Sequence, residues 1–148
     1  MTTFSDLQAR YKELTNHENE YWGHLRECVG EIVNMVAGTL SIPEPRSLRL
    51  GVFKESGEFD SMAASILPKK FRSIEFSLLL VLDREERAVP PSTLRVDLVI
   101  WREKRNLMIA CGTRKMIVTS FDEAASFIVA EFAKVLEDSD PSQQHDFF

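Results

Sequence analysis

The sequence predicts an α+β fold: an antiparallel β-meander of about five strands, with N- and C-terminal helices packed on one face as a two-layer sandwich. Three observations predict it. Leu94, Val96, Leu98 and Ile100 point one way while Arg95, Asp97, Val99 and Trp101 point the other, the period of a half-buried strand. Connections between the strand-like segments of 73–119 are short, which joins antiparallel neighbours. Apolar residues at helical spacing flank this stretch on both sides. Two one-sided helices and a sheet with one apolar face bury their apolar surface most economically as two layers.

The chain reads as one domain over 1–148. A helix region covers 1–40, the meander 47–119, a C-terminal helix 120–137, and a flexible acidic tail 138–148. Ser5 with Gln8 three residues on has the form of a capping box, so the first helix is expected to begin near Ser5. Phe4, Leu7, Tyr11, Leu14, Glu18, Tyr21, Leu25, Cys28, Ile32 and Met35 follow a 3-4 spacing, a heptad seam. From Trp22 the stripe widens with Val29, Val33 and Val36, enough to lie on a sheet. Before that it stays narrow, and Thr15 with Glu18 marks a second possible cap and a break. Pro43 and Pro45 end the region.

Leu48 to Phe53 reads as a short strand and Glu55–Glu58 as a turn, whereas 59–70 reads either as a turn of helix capped by Asp60 or as a loop. Ile74 to Leu82 begins in alternation and ends in a solid apolar run. Asp83 to Arg87 is too charged to continue it, and Pro90–Pro91 have no N–H to give a ladder. Lys104–Arg105–Asn106 and Gly112–Thr113 are turns on either side of a strand at Leu107–Ala110, and Met116–Val118 is the last strand. Ser120 with Glu123 opens the final helix as a third capping box. Phe121, Ala124, Ala125, Ile128, Phe132, Val135 and Leu136 give that helix a wide apolar face. Asp138 to Gln144 has little to bury and is expected to be mobile.

The net charge of −5 is unevenly placed. Residues 1–31 carry six acids and three bases, and 137–148 carry four acids and no Lys or Arg. The middle of the chain is slightly basic. Overall acidity argues against a nucleic-acid partner, which needs a basic footprint. The longest apolar run is far short of the ~20 residues of a membrane helix, so no membrane is expected. The amino terminus lacks the basic start and apolar core of a secretory signal. The two cysteines, Cys28 and Cys111, suggest no disulfide framework, which points to a reducing, cytoplasmic setting.

The catalytic inventory is poor. His17, Glu20, His24, Glu27 and Glu31 share one helix face at chelating spacing, but helix-built metal sites draw ligands from several helices and the last helix has no histidine. A solvated polar face is the better reading. Cys28 lies on the seam as a small hydrophobe. Cys111 stands at a strand end, yet a thiol nucleophile needs a base, and His145 lies in the tail. Asp97 on a hairpin is similar to metal-dependent nucleases in the hairpin alone, because the slot for their Glu-x-Lys holds Ala110–Cys111–Gly112. No catalytic residue, metal ligand or cofactor is assigned.

Two surfaces remain. In an up-and-down meander, Lys69, Lys70, Arg72, Arg102, Lys104 and Arg105 come to one end of the sheet, a local positive patch for an acidic protein partner. Phe4, Leu7, Tyr11 and Leu14 form a narrow seam suited to another helix, so a homodimer is expected; the competing account folds residues 1–14 back over Leu78–Leu82. The function expected from these features is a small non-enzymatic protein-binding module, of adaptor, inhibitor or immunity, or chaperone-like type. The alternative is an enzyme or small-ligand binder with a pocket between sheet and helices, with Asp97, Arg95, Trp101 and Glu75 as its polar residues.

Overall fold

The two longest strands, β4 and β5, set the frame of the computed structural model, which describes residues 1–82 and 93–140. The order along the chain is α1 (Phe4–Thr39), β1 (Leu48–Phe53), β2 (Phe59–Ser61), β3 (Lys69–Lys70), β4 (Ser73–Val81), β5 (Thr93–Glu103), β6 (Asn106–Cys111), β7 (Arg114–Val118) and α2 (Phe121–Asp138). One antiparallel sheet holds all seven strands in the order β2-β1-β4-β5-β6-β7, with β3 paired to β4. The expected meander is present, and the two strands beyond the expected five, β2 and β3, are short edge pieces.

Residues directly opposite each other in an antiparallel pair share a face. Ile74 faces Ile100, Phe76 faces Leu98, Leu78 faces Val96 and Leu80 faces Leu94. All eight are buried, and they form one core with Ile128 and Phe132 of α2 and with Leu25, Val29, Ile32 and Val36 of α1. Both helices therefore lie on one face of the sheet. The opposite face carries Glu75, Ser77, Arg95, Asp97 and Val99 and is open.

The turns follow their chemistry. Lys104–Arg105 is a two-residue loop between Glu103 and Asn106, with Lys104 at φ +58°. Gly112–Thr113 joins Cys111 to Arg114, and Gly112 takes φ +61°, where a residue without Cβ has no steric cost. At Gly51 the reason for glycine is a close approach. The Asp60 carbonyl oxygen lies 2.1 Å from where a Cβ would stand, so β2 folds tightly against β1 only because that position is bare.

The ambiguous segment 59–70 is a strap across α1. After β2 it makes a short 3-10 turn at Ala64–Ile66, buries Leu67 completely, and runs into β3. Arg26 of α1 holds it, donating from Nε and Nη2 to the Leu67 carbonyl at 3.1 and 2.9 Å. Polarity hid this segment in the sequence, because its anchor is a backbone carbonyl.

Three helix-end expectations change. The cap of α1 is Thr3, whose hydroxyl accepts from the Asp6 N–H while Asp6 accepts from the Thr3 N–H. This box starts the helix ahead of Ser5. No break occurs at Thr15, whose hydroxyl donates to the Tyr11 carbonyl inside an unbroken 36-residue helix. At α2 only half of the expected box forms: Ser120 accepts from the Glu123 N–H, while the Glu123 carboxylate takes the Thr119 hydroxyl instead. The expectations for Asp83–Arg87, Pro90–Pro91 and the tail beyond Asp140 fall outside the described residues.

Candidate interaction surface at the base of the helical arm

Helix α1 has two halves with different tasks. Trp22, Leu25, Cys28, Val29, Ile32 and Val36 are its buried residues, all in the second half. Residues 4–17 are exposed without exception, so the first half projects as an arm of about 20 Å at 1.5 Å per residue. Phe4, Leu7, Tyr11 and Leu14 lie along it with 76, 60, 73 and 46% of their surface exposed. The seam read from the sequence is thus unpartnered within the chain, and the arm does not fold back. Leu78 and Leu80 are covered by the core instead.

Glu18 marks where the arm meets the domain. Its Oε1 pairs with Arg72 Nη1 at 2.7 Å, and its Oε2 accepts from Trp22 Nε1 at 3.2 Å. The Arg72 hydrogen bond, more than any other contact, holds the Glu18 carboxyl below the usual carboxylate range. Tyr21 completes the joint. Its hydroxyl donates to the Arg72 carbonyl at 2.6 Å and accepts from the Arg102 N–H at 3.4 Å. A recess of about 570 Å³ opens here, lined by Leu14, His17, Glu18, Tyr21, Arg72 and Arg102. The one charge in the first half of the seam thus joins the arm to Arg72 and Trp22.

Ser73 pairs with Trp101, so β4 starts where β5 ends. Lys69, Lys70 and Arg72 therefore reach the same end of the sheet as Arg102, Lys104 and Arg105. Their states differ. Lys70 pairs with Glu75 at 3.1 Å, Arg72 with Glu18, and Lys69 Nζ stands 5.3 Å from the centroid of the Trp22 ring. Arg102 Nη2 donates to His24 Nε2. Lys104 and Arg105 are exposed and make no ion pair among the described residues.

Sequence reasoning missed Phe71. It sits between β3 and β4 with 90% of its surface exposed and φ +56°. A bulky residue rarely adopts that conformation, and such strain concentrates at functional sites. Its neighbour Arg72 is bound to Glu18 and Tyr21, so Phe71 is displayed beside the foot of the arm. One-dimensional reading gave it no signal, because an aromatic beside Lys69–Lys70 looks like a strand residue.

Glu75, Arg95, Asp97 and Trp101 do share the open face. The first three border a shallow groove of about 620 Å³ there, while Trp101 does not. Asp97 Oδ1 accepts from Ser77 Oγ at 2.6 Å and from Arg95 Nε at 2.8 Å, and the Arg95 guanidinium lies 3.6 Å over the Phe53 ring. On the helix side a second cleft separates α1 from the end of the sheet. Cys28 and His24 line it, with Sγ 3.6 Å from Nε2. Burial pushes the Cys28 thiol up, and Arg102 opposes the shift. Among the described residues no group of three or more His, Cys, Asp or Glu is placed to hold a metal ion. None of the described helices is long and apolar enough to cross a membrane.

Compared with known proteins, the chain matches no family model, no curated protein and no solved structure.

Proposed function

We propose that this chain is a small non-enzymatic protein-binding module that pairs with a second copy of itself through the helical arm. The reading is carried by one observation: four large apolar side chains stand exposed in a row on the arm. Patches of this kind mark interaction sites. A narrow stripe at 3-4 spacing suits a second helix better than a sheet. A helix of about four turns is marginal without packing, so a paired arm gains what a lone one lacks. The recess at the foot of the arm extends the same surface, and Phe71 flanks it.

The basic end then faces outward beside the paired arms and receives an acidic protein partner, led by Lys104 and Arg105. Adaptor, inhibitor or immunity, and chaperone-like proteins all work in this way, by surface rather than by chemistry. Two free cysteines, one buried, fit a reducing, cytoplasmic setting.

Sedimentation equilibrium in the micromolar range tests the pairing. A dimer is expected, converted to monomer by Leu7→Glu or by deleting residues 1–14, with the far-ultraviolet signal of the sheet retained. A wild-type monomer over that range sinks the reading.

A further inference from the structure

We propose that the cleft between α1, the β5–β6 turn and the start of α2 is a binding site for a phosphate-class oxyanion, gripped by Arg102 and Arg105. The cleft measures about 320 Å³; His24, Cys28, Arg102, Arg105, Thr119 and Ser120 form its polar walls, and Leu107, Val118 and Phe121 its apolar ones. A water takes roughly 30 Å³ of liquid, so the space admits a tetrahedral anion with several waters, or one carrying a small organic group.

Arg102 carries the argument. Its Nε is buried and has no hydrogen-bond partner among the described residues. A charged group's N–H taken out of water without an acceptor is a cost that folded proteins seldom leave standing, which singles this arginine out. The side chain is also held in place. Arg102 follows Ile100 on the inward face of β5, where the sheet emerges from under α1. Its Nη2 is committed to His24 Nε2, and its backbone N–H to Tyr21. Nη1 makes no hydrogen bond among the described residues, so that end of the guanidinium is left to meet a ligand.

The other walls agree in sign. Arg105 is exposed on the adjacent turn and makes no ion pair among the described residues. The Ser120 hydroxyl oxygen accepts from the Glu123 N–H, which leaves its own hydrogen to donate. Ser120 and Phe121 at the start of α2 line the cleft, and the first turn of a helix has N–H groups without partners inside the helix. Asp122 and Glu123 lie on that turn, and the Glu123 carboxylate is engaged by Thr119. Cys28 stays a neutral thiol and does not compete as an anion. Donors arriving from a hairpin and a helix start, around a guanidinium edge, suit several oxygens at tetrahedral angles better than one planar carboxylate. None of these residues belongs to the arm's stripe, so the site does not depend on the arm's pairing.

Nitrogen-15 NMR of the full chain, read at the arginine Nε–H and backbone N–H resonances, tests this at constant ionic strength. Inorganic phosphate, phenyl phosphate and acetate are the probes. Phosphate is expected to shift Arg102 Nε–H and the Ser120 and Phe121 amides saturably. Arg105→Ala should weaken binding about tenfold, the value of one charge-assisted hydrogen bond. Arg105 is exposed, so that variant should fold, and it carries the test if Arg102→Gln does not. Tighter binding of phenyl phosphate assigns the natural ligand to organic phosphomonoesters, and tighter binding of phosphate to the free ion. No saturable shift at Arg102, uniform shifts at all exposed Lys and Arg, or equal saturation by acetate overturns the proposal.

Discussion

Glu131 of α2, with only 8% of its side chain exposed, accepts a hydrogen bond from Arg114 Nη1 of β7 at 3.0 Å. This contact ties the last helix to the edge strand just before it in sequence. Arg114 is half exposed, so it keeps most of its hydration, while Glu131 has exchanged water for one guanidinium. Removing the arginine leaves a buried carboxylate without its countercharge.

Arg114→Ala is therefore expected to cost about 1–3 kcal/mol, the penalty for an unsatisfied buried charge discounted for the arginine's exposure. Adding Glu131→Met should restore much of that loss, because an apolar side chain of similar size needs no partner. Urea midpoints of the three proteins decide it.

Cys111 is coupled to the same pair. Burial first, and then the Glu131 charge and hydrogen bond, push its thiol from 9.0 up to about 11. A raised thiol contributes stability that is complete below its unfolded value and is lost as pH climbs through the folded one. Between pH ~9 and ~11 the wild type should lose about 1 kcal/mol more than Cys111→Ser, a figure reduced for partial exposure. Urea unfolding across that range measures the difference. Equal losses would show that the thiol is not held neutral by its surroundings.

Leu98 faces Phe76 at the centre of the sheet and is 1% exposed. Leu98→Ala should cost about 2–5 kcal/mol through lost burial and the cavity left behind. A smaller change in the urea midpoint would mean that the helices shift to fill the space.

Reversing Lys104 and Arg105 to Glu should slow association with an acidic partner recovered from the native cell, and flatten its dependence on salt. Stopped-flow rates at several ionic strengths supply the comparison. Unchanged rates would remove this end of the sheet as the docking surface.

The sequence made the fold visible where burial is one-sided. Leu94, Val96, Leu98 and Ile100 announce β5 because every second residue must enter the core. The widening of the α1 stripe at Trp22 marks the place where the helix meets the sheet. Edge pieces such as Lys69–Lys70 gave no such pattern, since a two-residue strand held by β4 on one side needs no apolar face. The arm's exposure was legible as a narrow stripe. Its continuity was not, because Thr15 has the residue type of a cap, yet its hydroxyl bonds back to the Tyr11 carbonyl within the helix. The setting of Arg102 was invisible because its hydrogen-bond partners, Tyr21 and His24, lie far away in the chain.

The unbroken path of α1 through Glu18 makes the arm's bearing a matter of counting. Each helical residue turns by about 100° and advances about 1.5 Å, so the azimuth of Phe4, Leu7, Tyr11 and Leu14 about the axis is phase-locked to Leu25 and Val29 in the core. One residue inserted after Asn16 would swing the whole stripe by more than a right angle without altering any side chain on it. Seven inserted residues would bring it back to nearly the same bearing, roughly 10 Å farther out. The direction in which this molecule presents its apolar row is thus written in the number of residues between arm and core.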